Sequence, residues 1–380
     1  MPAVPRRSRS DELRETCYPS DPYTAVKHAV YRRYTQCWMG KILRSFPDGA
    51  AIVDGFCGAG TYTDGLDGSP LVFAKTFIEH SARKTFNMLD VVCLDERADR
   101  LAHLASVTSR LPPLPRLRVS TQSPGSFADR IAELAAIAHR GDTGRPVLWV
   151  LDPYGWADAS VDLTLACLAA GPRDEVIVSV FTQEMYRWGH DATKHATLTH
   201  VTGGDQWRRA FEPPVPSEAS AKEMLADAYR DSLRSAGFHV GKFAVAARGR
   251  MPRYHLIYAT QREQALQECW LPTVWYLDSY AGGAAGPIDL SGQGDLFGDQ
   301  PGMGQFDSLR ARLETYAGEE RSFRQLLSDA AVLGFKETHL RQTLTRMRDG
   351  GLAVRVDAVG TRSPWPSASV VRFYNATDSE

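Results

Sequence analysis

The sequence predicts an α/β fold: a mostly parallel sheet with helices on both faces, then a separate small unit. Three observations predict it. Short apolar runs at 50–54, 89–94, 116–120, 146–151 and 175–181 alternate with helical patterns at 70–82, 97–108, 127–138 and 160–170. That alternation is the signature of βα units, whose strands are buried on both sides and covered by helices. A Gly-, Ala-, Pro- and Gln-rich stretch at 281–306 then reads as a linker, and the pattern beyond it is different.

The chain has 380 residues and a formal net charge of −1, so no global charge drives it toward nucleic acid or membrane. Residues 1–20 are basic at the start but lack an apolar stretch, so a disordered tail and not a signal peptide is expected there. No run of about 18 apolar residues occurs, so no membrane span is expected. Cysteines 17, 37, 57, 93, 167 and 269 form no Cys-x-x-Cys pair and no zinc-like spacing. The expectation is reduced thiols, a cytoplasmic protein and no metal.

Residues 22–46 repeat Ala25, Ala29, Tyr31, Tyr34, Trp38, Ile42 and Leu43 at helical spacing, with Lys27, Arg32, Arg33 and Lys41 between them. After the fifth strand, residues 183–212 are rich in His, Trp, Arg and Lys and read as a lid or target-facing insertion, with Glu184, Arg187, His190, Lys194, His195 and Arg209 as candidate contacts. Ser217 starts a long helix that Gly237 ends. Runs at 238–246 and 253–260 then form a hairpin. The main domain therefore spans 21–280. In the tail unit, 307–375, helical patterns at 307–317, 321–329 and 337–349 precede strands at 352–357 and 369–374. Three helices followed by a β-wing is the winged-helix pattern.

Two segments carry chemistry. In Asp54-Gly55-Phe56-Cys57-Gly58-Ala59-Gly60 a strand runs into an acid and a glycine turn, where Gly58 and Gly60 let a ligand approach the backbone. Asp54 is placed to orient the ammonium end of S-adenosylmethionine, and Asp95, at the tip of the second strand, to hold ribose hydroxyls with its two oxygens. Ser126 stands where an acid contacting the adenine amino group is expected; a serine still offers a hydrogen bond there but weakens the pattern. The plainer readings are a ligand-free strand–helix turn and a solvated acid.

The second segment is Asp152-Pro153-Tyr154-Gly155-Trp156. A carboxylate at a proline-fixed turn accepts the protons of an amino group and turns its lone pair outward, while Tyr154 or Trp156 stacks on an extruded base. The plainer reading is an Asp-Pro turn closing a strand. The Pro-Cys pair of cytosine-C5 chemistry is absent. In the tail, Leu340, Leu344 and Met347 face inward, whereas Arg341, Gln342 and Thr345 are candidates for base edges and Arg362 for phosphate. The plainer reading there is a solvated face or a protein-binding module.

Residues 23–34, Val53–Tyr62, Gly68-Ser69-Pro70-Leu71, Leu151–Trp156 and Tyr254–Thr260 together resemble the three-Cys-motif partner proteins. The resemblance covers most of 20–375. It implies a Rossmann-like class I methyltransferase sheet whose last strand is antiparallel, a C-terminal winged helix, and a bacterial or phage setting. It also implies a partner that looks like a radical S-adenosylmethionine enzyme, to which the three cysteines of the name belong. Two functions follow as expectations. One is an S-adenosylmethionine-dependent methyltransferase acting on an amino group of a nucleic acid base, DNA or RNA. The other is a catalytically silent scaffold that positions the radical enzyme.

Overall fold

The computed structural model describes residues 15–246, 251–282, 307–356 and 364–374. They form two compact units, Met1–Arg262 and Glu263–Glu380.

Helix α1 (Pro22–Ser45) starts where Asp21 accepts hydrogen bonds from the amides of Tyr23 and Thr24, with Pro22 in the first turn. β1 (Ala50–Asp54), β2 (Leu89–Cys93), β4 (Val147–Leu151) and β5 (Glu175–Val180) are buried at every position, as expected of the middle of a doubly covered sheet. β3 (Leu117–Thr121) is only partly buried because it is an edge strand. The connecting helices are α2 (Ser69–Glu79), α3 (Ala98–Thr108), α4 (Phe127–His139) and α5 (Val161–Ala169).

The hairpin strands β6 (His239–Val245) and β7 (Tyr254–Thr260) complete a seven-stranded sheet of order β3-β2-β1-β4-β5-β7-β6. β7 pairs antiparallel with both neighbours, while every pairing among β1 to β5 is parallel. This is the expected Rossmann-like sheet with a reversed last strand. The strand order reverses at β1/β4, the topological switch point of an open α/β sheet.

Three expectations change. Residues 183–212 form α6 (Thr182–Trp188), α7 (His195–Thr202) and a 3-10 turn at Asp205–Phe211. Met185, Leu198, Val201, Trp207 and Ala210 are buried in one apolar cluster with β4, β5 and helix α8 (Glu218–Ser235). The segment is thus a packed layer of the core rather than a lid; the apolar burial of Trp207 and its neighbours holds it down. Of its polar candidates, Arg187, His190 and Arg209 stay exposed, although the His190 ring contacts Phe211, and the half-buried His195 ring contacts Trp207. Second, residues 15–20 lie against the first unit instead of forming a free tail, as described below. Third, among the six cysteines, 17, 57, 93 and 167 are free thiols, whereas Cys37 and Cys269 are disulfide-bonded, against the expectation of reduced thiols throughout.

The second unit begins earlier than the sequence suggested. Helix α9 (Leu271–Gly282) belongs to it because Trp275 packs on Phe335 and His339. The expected linker lies, from 283 to 306, outside the described residues. α10 (Asp307–Glu314), α11 (Phe323–Val332) and α12 (Glu337–Asp349) pack with strands β8 (Glu320–Ser322), β9 (Ala353–Arg355) and β10 (Val370–Phe373). The strands form an antiparallel sheet of order β8-β10-β9. A capping box between Ser322 and Gln325 starts α11. β8 escaped the sequence reading because a three-residue strand has no measurable periodicity.

Among the described residues no helix is long and apolar enough to cross a membrane. Nor is any group of three or more His, Cys, Asp or Glu side chains arranged to hold a metal ion.

Candidate active site

A cavity of about 200 Å3 opens at the C-terminal ends of β1 and β4. The turn after β1 supplies Phe56 to Tyr62, and the turn after β4 supplies Asp152, Pro153 and Tyr154. Gly58 and Gly60 have φ of +60° and +81°, a region that L-residues with a Cβ avoid. Gly60 serves packing as well: a Cβ there would come within 2.5 Å of Leu104. Its carbonyl accepts from the Gly68 amide at 2.7 Å, tying the turn to the start of α2.

Of the ten cofactor and acceptor candidates, Phe56, Gly58, Gly60, Asp152, Pro153 and Tyr154 line this cavity. The other four do not. Asp54 is fully buried beneath the turn. Its Oδ1 accepts from the Phe56 amide at 3.3 Å, while its Oδ2 has no hydrogen-bond partner. Burial raises its pKa to about 7, against the pull of a hydrogen bond from Ser69, which does line the cavity. Asp95 is covered too. Its oxygens accept from the Gly58 amide at 3.1 Å and the Arg97 amide at 2.9 Å, and Arg100 lies 3.9 Å away. Ser126 is the N-cap of α4 and makes no side-chain cap bond. Trp156 packs against the apolar cluster instead of facing the cavity.

The sequence reading missed the partner of Asp152. Lys27, one turn into α1, donates to Asp152 Oδ2, and the Ser179 hydroxyl donates to Oδ1 at 2.5 Å. Lys27 is only 7% exposed. Burial is the largest single influence and pulls its pKa down, but the Asp152 carboxylate together with Tyr62, Tyr254 and Tyr31 more than offsets this and holds the ammonium charged. Tyr254 and Tyr62 stand around it at the cavity wall, and Arg253, paired with Asp21, closes the same end. Nothing in the periodicity distinguished Lys27 from the solvated lysines of an ordinary helix. Its place in the 23–34 segment was the only signal.

In the second unit, Arg341 is paired with Glu337 and packed over the Phe323 ring at 4.5 Å. The Thr345 hydroxyl donates to the Arg341 carbonyl at 2.8 Å and accepts from the Trp365 indole at 3.0 Å. Both side chains are therefore engaged within the fold. Gln342 is half-buried on the same helix. Arg362 lies outside the described residues.

No protein-family model matches the chain, and no curated protein matches it. Solved structures do. A protein from Legionella pneumophila aligns at 11% identity over 68% of this chain and 94% of its own, with a TM-score of 0.38. Loganic acid methyltransferase with SAH aligns at 12% identity over 59% of this chain and 75% of its own, with a TM-score of 0.29. A SAM-dependent methyltransferase from Aquifex aeolicus aligns at 14% identity over 63% of this chain and 98% of its own, with a TM-score of 0.24. At scores this low, the fold class rests on the strand order and register above.

Proposed function

We propose that this chain binds S-adenosylmethionine at the β1/β4 switch point and transfers its methyl group to an acceptor at Asp152. One observation carries the reading: a single cavity at that switch point joins the Gly58–Gly60 turn to Asp152-Pro153-Tyr154. The residues fit the cofactor. Asp54 Oδ2 is a buried acceptor without a donor, directly below the turn, and such an atom is costly to leave unmatched. A cofactor ammonium would satisfy it through or beside Ser69. Asp95 would hold the ribose hydroxyls. The bound cofactor supplies an electrophilic sulfonium methyl. The protein's part is to hold the acceptor atom in line and exclude water.

The acceptor end is electrostatically distinctive. Asp-Pro-aromatic alone reads as a holder for an amino group of a nucleic acid base. An amine gains positive charge as it is methylated, and the Lys27 ammonium beside Asp152 opposes that. A hydroxyl nucleophile would instead give up its proton, with the Asp152 carboxylate as the base at hand, and the same ammonium would stabilise the developing oxyanion. Lys27 thus favours a hydroxyl acceptor over an exocyclic amine.

A second reading has its own support. Both oxygens of Asp152 and both oxygens of Asp95 already have protein partners. That suits a methyltransferase-like scaffold working beside a radical enzyme, as the resemblance to three-Cys-motif partner proteins implies. In the second unit, helices α10 to α12 with the small sheet are compatible with a winged helix, and nucleic acid is the partner that reading suggests.

Calorimetric titration with S-adenosylmethionine tests the proposal on the wild type, Asp95→Ala and Asp152→Ala. Binding that is lost in Asp95→Ala and kept in Asp152→Ala supports a cofactor site with a separate acceptor site. A wild type that does not bind sinks the enzyme reading and leaves the scaffold.

A further inference from the structure

The ribose position over Asp95 is covered by a layer of side chains anchored to the N-terminal segment. Arg100, 1% exposed, lies against Asp95, with its guanidinium 4.5 Å over the Tyr154 ring. The Tyr18 hydroxyl donates to the Tyr154 hydroxyl at 3.5 Å. That Tyr154 hydroxyl stands beside Gly58, where an added Cβ would meet it at 3.4 Å. Asp95 itself is 4% exposed. A ribose diol needs an acid whose oxygens it can reach, and here Arg100 and then Tyr154 stand in front of it.

The layer is held by residues 15–20, of which Thr16, Tyr18 and Pro19 themselves form part of the cavity wall. Arg100 Nη2 donates to the Glu15 carbonyl at 3.2 Å. The Thr63 amide donates to the Tyr18 carbonyl at 3.1 Å, and the Ser20 hydroxyl donates to Asp64 at 2.6 Å. Asp64 is exposed and does not line the cavity. The strap therefore bridges the turn after β1 and helix α3, the two elements that flank the cofactor position.

We infer that residues 15–20 are a latch: they hold Arg100 and Tyr154 over Asp95, and the cofactor enters only when the strap lifts. This rests on the cofactor reading above and gives Tyr154 a gating role in place of base stacking. Apparent affinity falls in proportion to the fraction of molecules in the open form, so loosening the strap must tighten binding. No bond to the cofactor is removed by doing so.

The test is calorimetric titration of the full chain with S-adenosylmethionine, comparing wild type with Tyr18→Ala and Asp64→Ala, each first shown by thermal melting to be folded. Asp64→Ala releases the Ser20 anchor without touching the cavity. Both variants are expected to bind about three- to tenfold more tightly than wild type, or to bind where wild type does not. Unchanged or weaker binding in both, with a wild type that binds, overturns the latch while leaving the cofactor site intact. Absence of binding in all three folded proteins overturns the cofactor reading and the latch with it.

Discussion

Lys27 and Asp152, 125 residues apart in sequence, form a hydrogen-bonded ion pair at the wall of the cavity. The lysine comes from the first helix and the aspartate from the end of β4, so the pair fastens α1 to the site. Replacing one member leaves the other charge under-compensated in a largely dry position. Lys27→Met is expected to lower stability by about 2–4 kcal/mol. The double variant Lys27→Met/Asp152→Leu should recover much of that loss. Denaturant unfolding of both variants checks this; equal losses in the two would show that packing, not charge, is responsible.

Cofactor binding should depend on pH through Asp54. Burial raises its pKa to about 7, so near neutral pH the carboxyl is partly protonated in the free protein. An ammonium partner needs the carboxylate. Binding of S-adenosylmethionine should therefore tighten as pH rises from about 6 to about 8, with proton release. Titration in buffers of different ionisation enthalpy measures the released proton, and Asp54→Asn should abolish the pH dependence.

Stability should also fall across a similar range because of Glu175. This buried carboxyl, hydrogen-bonded by Tyr34, has its pKa raised to about 7 by burial. Its folded pKa lies above its unfolded one, so the folded state binds the extra proton between the two values. Stability is then full below the unfolded pKa and is lost as pH rises through about 7, by at most about 3 kcal/mol. In Glu175→Gln the slope of melting temperature against pH from about 5 to about 8 should flatten. A slope as steep as wild type would mean that Glu175 ionises normally.

The two turn glycines should respond differently to alanine. Gly60→Ala combines a positive φ with a 2.5 Å approach to Leu104, so it should cost more than 2 kcal/mol or so. At Gly58 the nearest obstacle is the Tyr154 hydroxyl at 3.4 Å, so Gly58→Ala should cost about 1–2 kcal/mol. Its main effect should be on ligand affinity, since that Cβ sits at the cavity. Thermal melting beside cofactor titration separates the two.

The strands were legible because each is a short apolar run that the sheet buries on both sides, and β1 to β5 fall within a residue of where the pattern ended. The glycine turn and the Asp-Pro turn were legible because their backbone demands restrict residue choice. The helical layer at 183–212 was misread because its histidines and tryptophans suggest a solvent-facing, ligand-seeking surface. Only packing shows that Trp207 and Leu198 anchor it.

The sequence by itself determined the order and kind of the elements that build the seven-stranded sheet, since hydrophobic periodicity and turn chemistry are local properties. It also marked the two turns that meet at the switch point. Tertiary structure alone decided which charges face each other there: Lys27 against Asp152, Arg100 against Asp95, and Asp54 Oδ2 against nothing. Those pairings depend on how far apart in space a lysine on one helix and an acid on a distant strand come to lie. Burial then magnifies them, because a charge removed from water must find its partner within the fold.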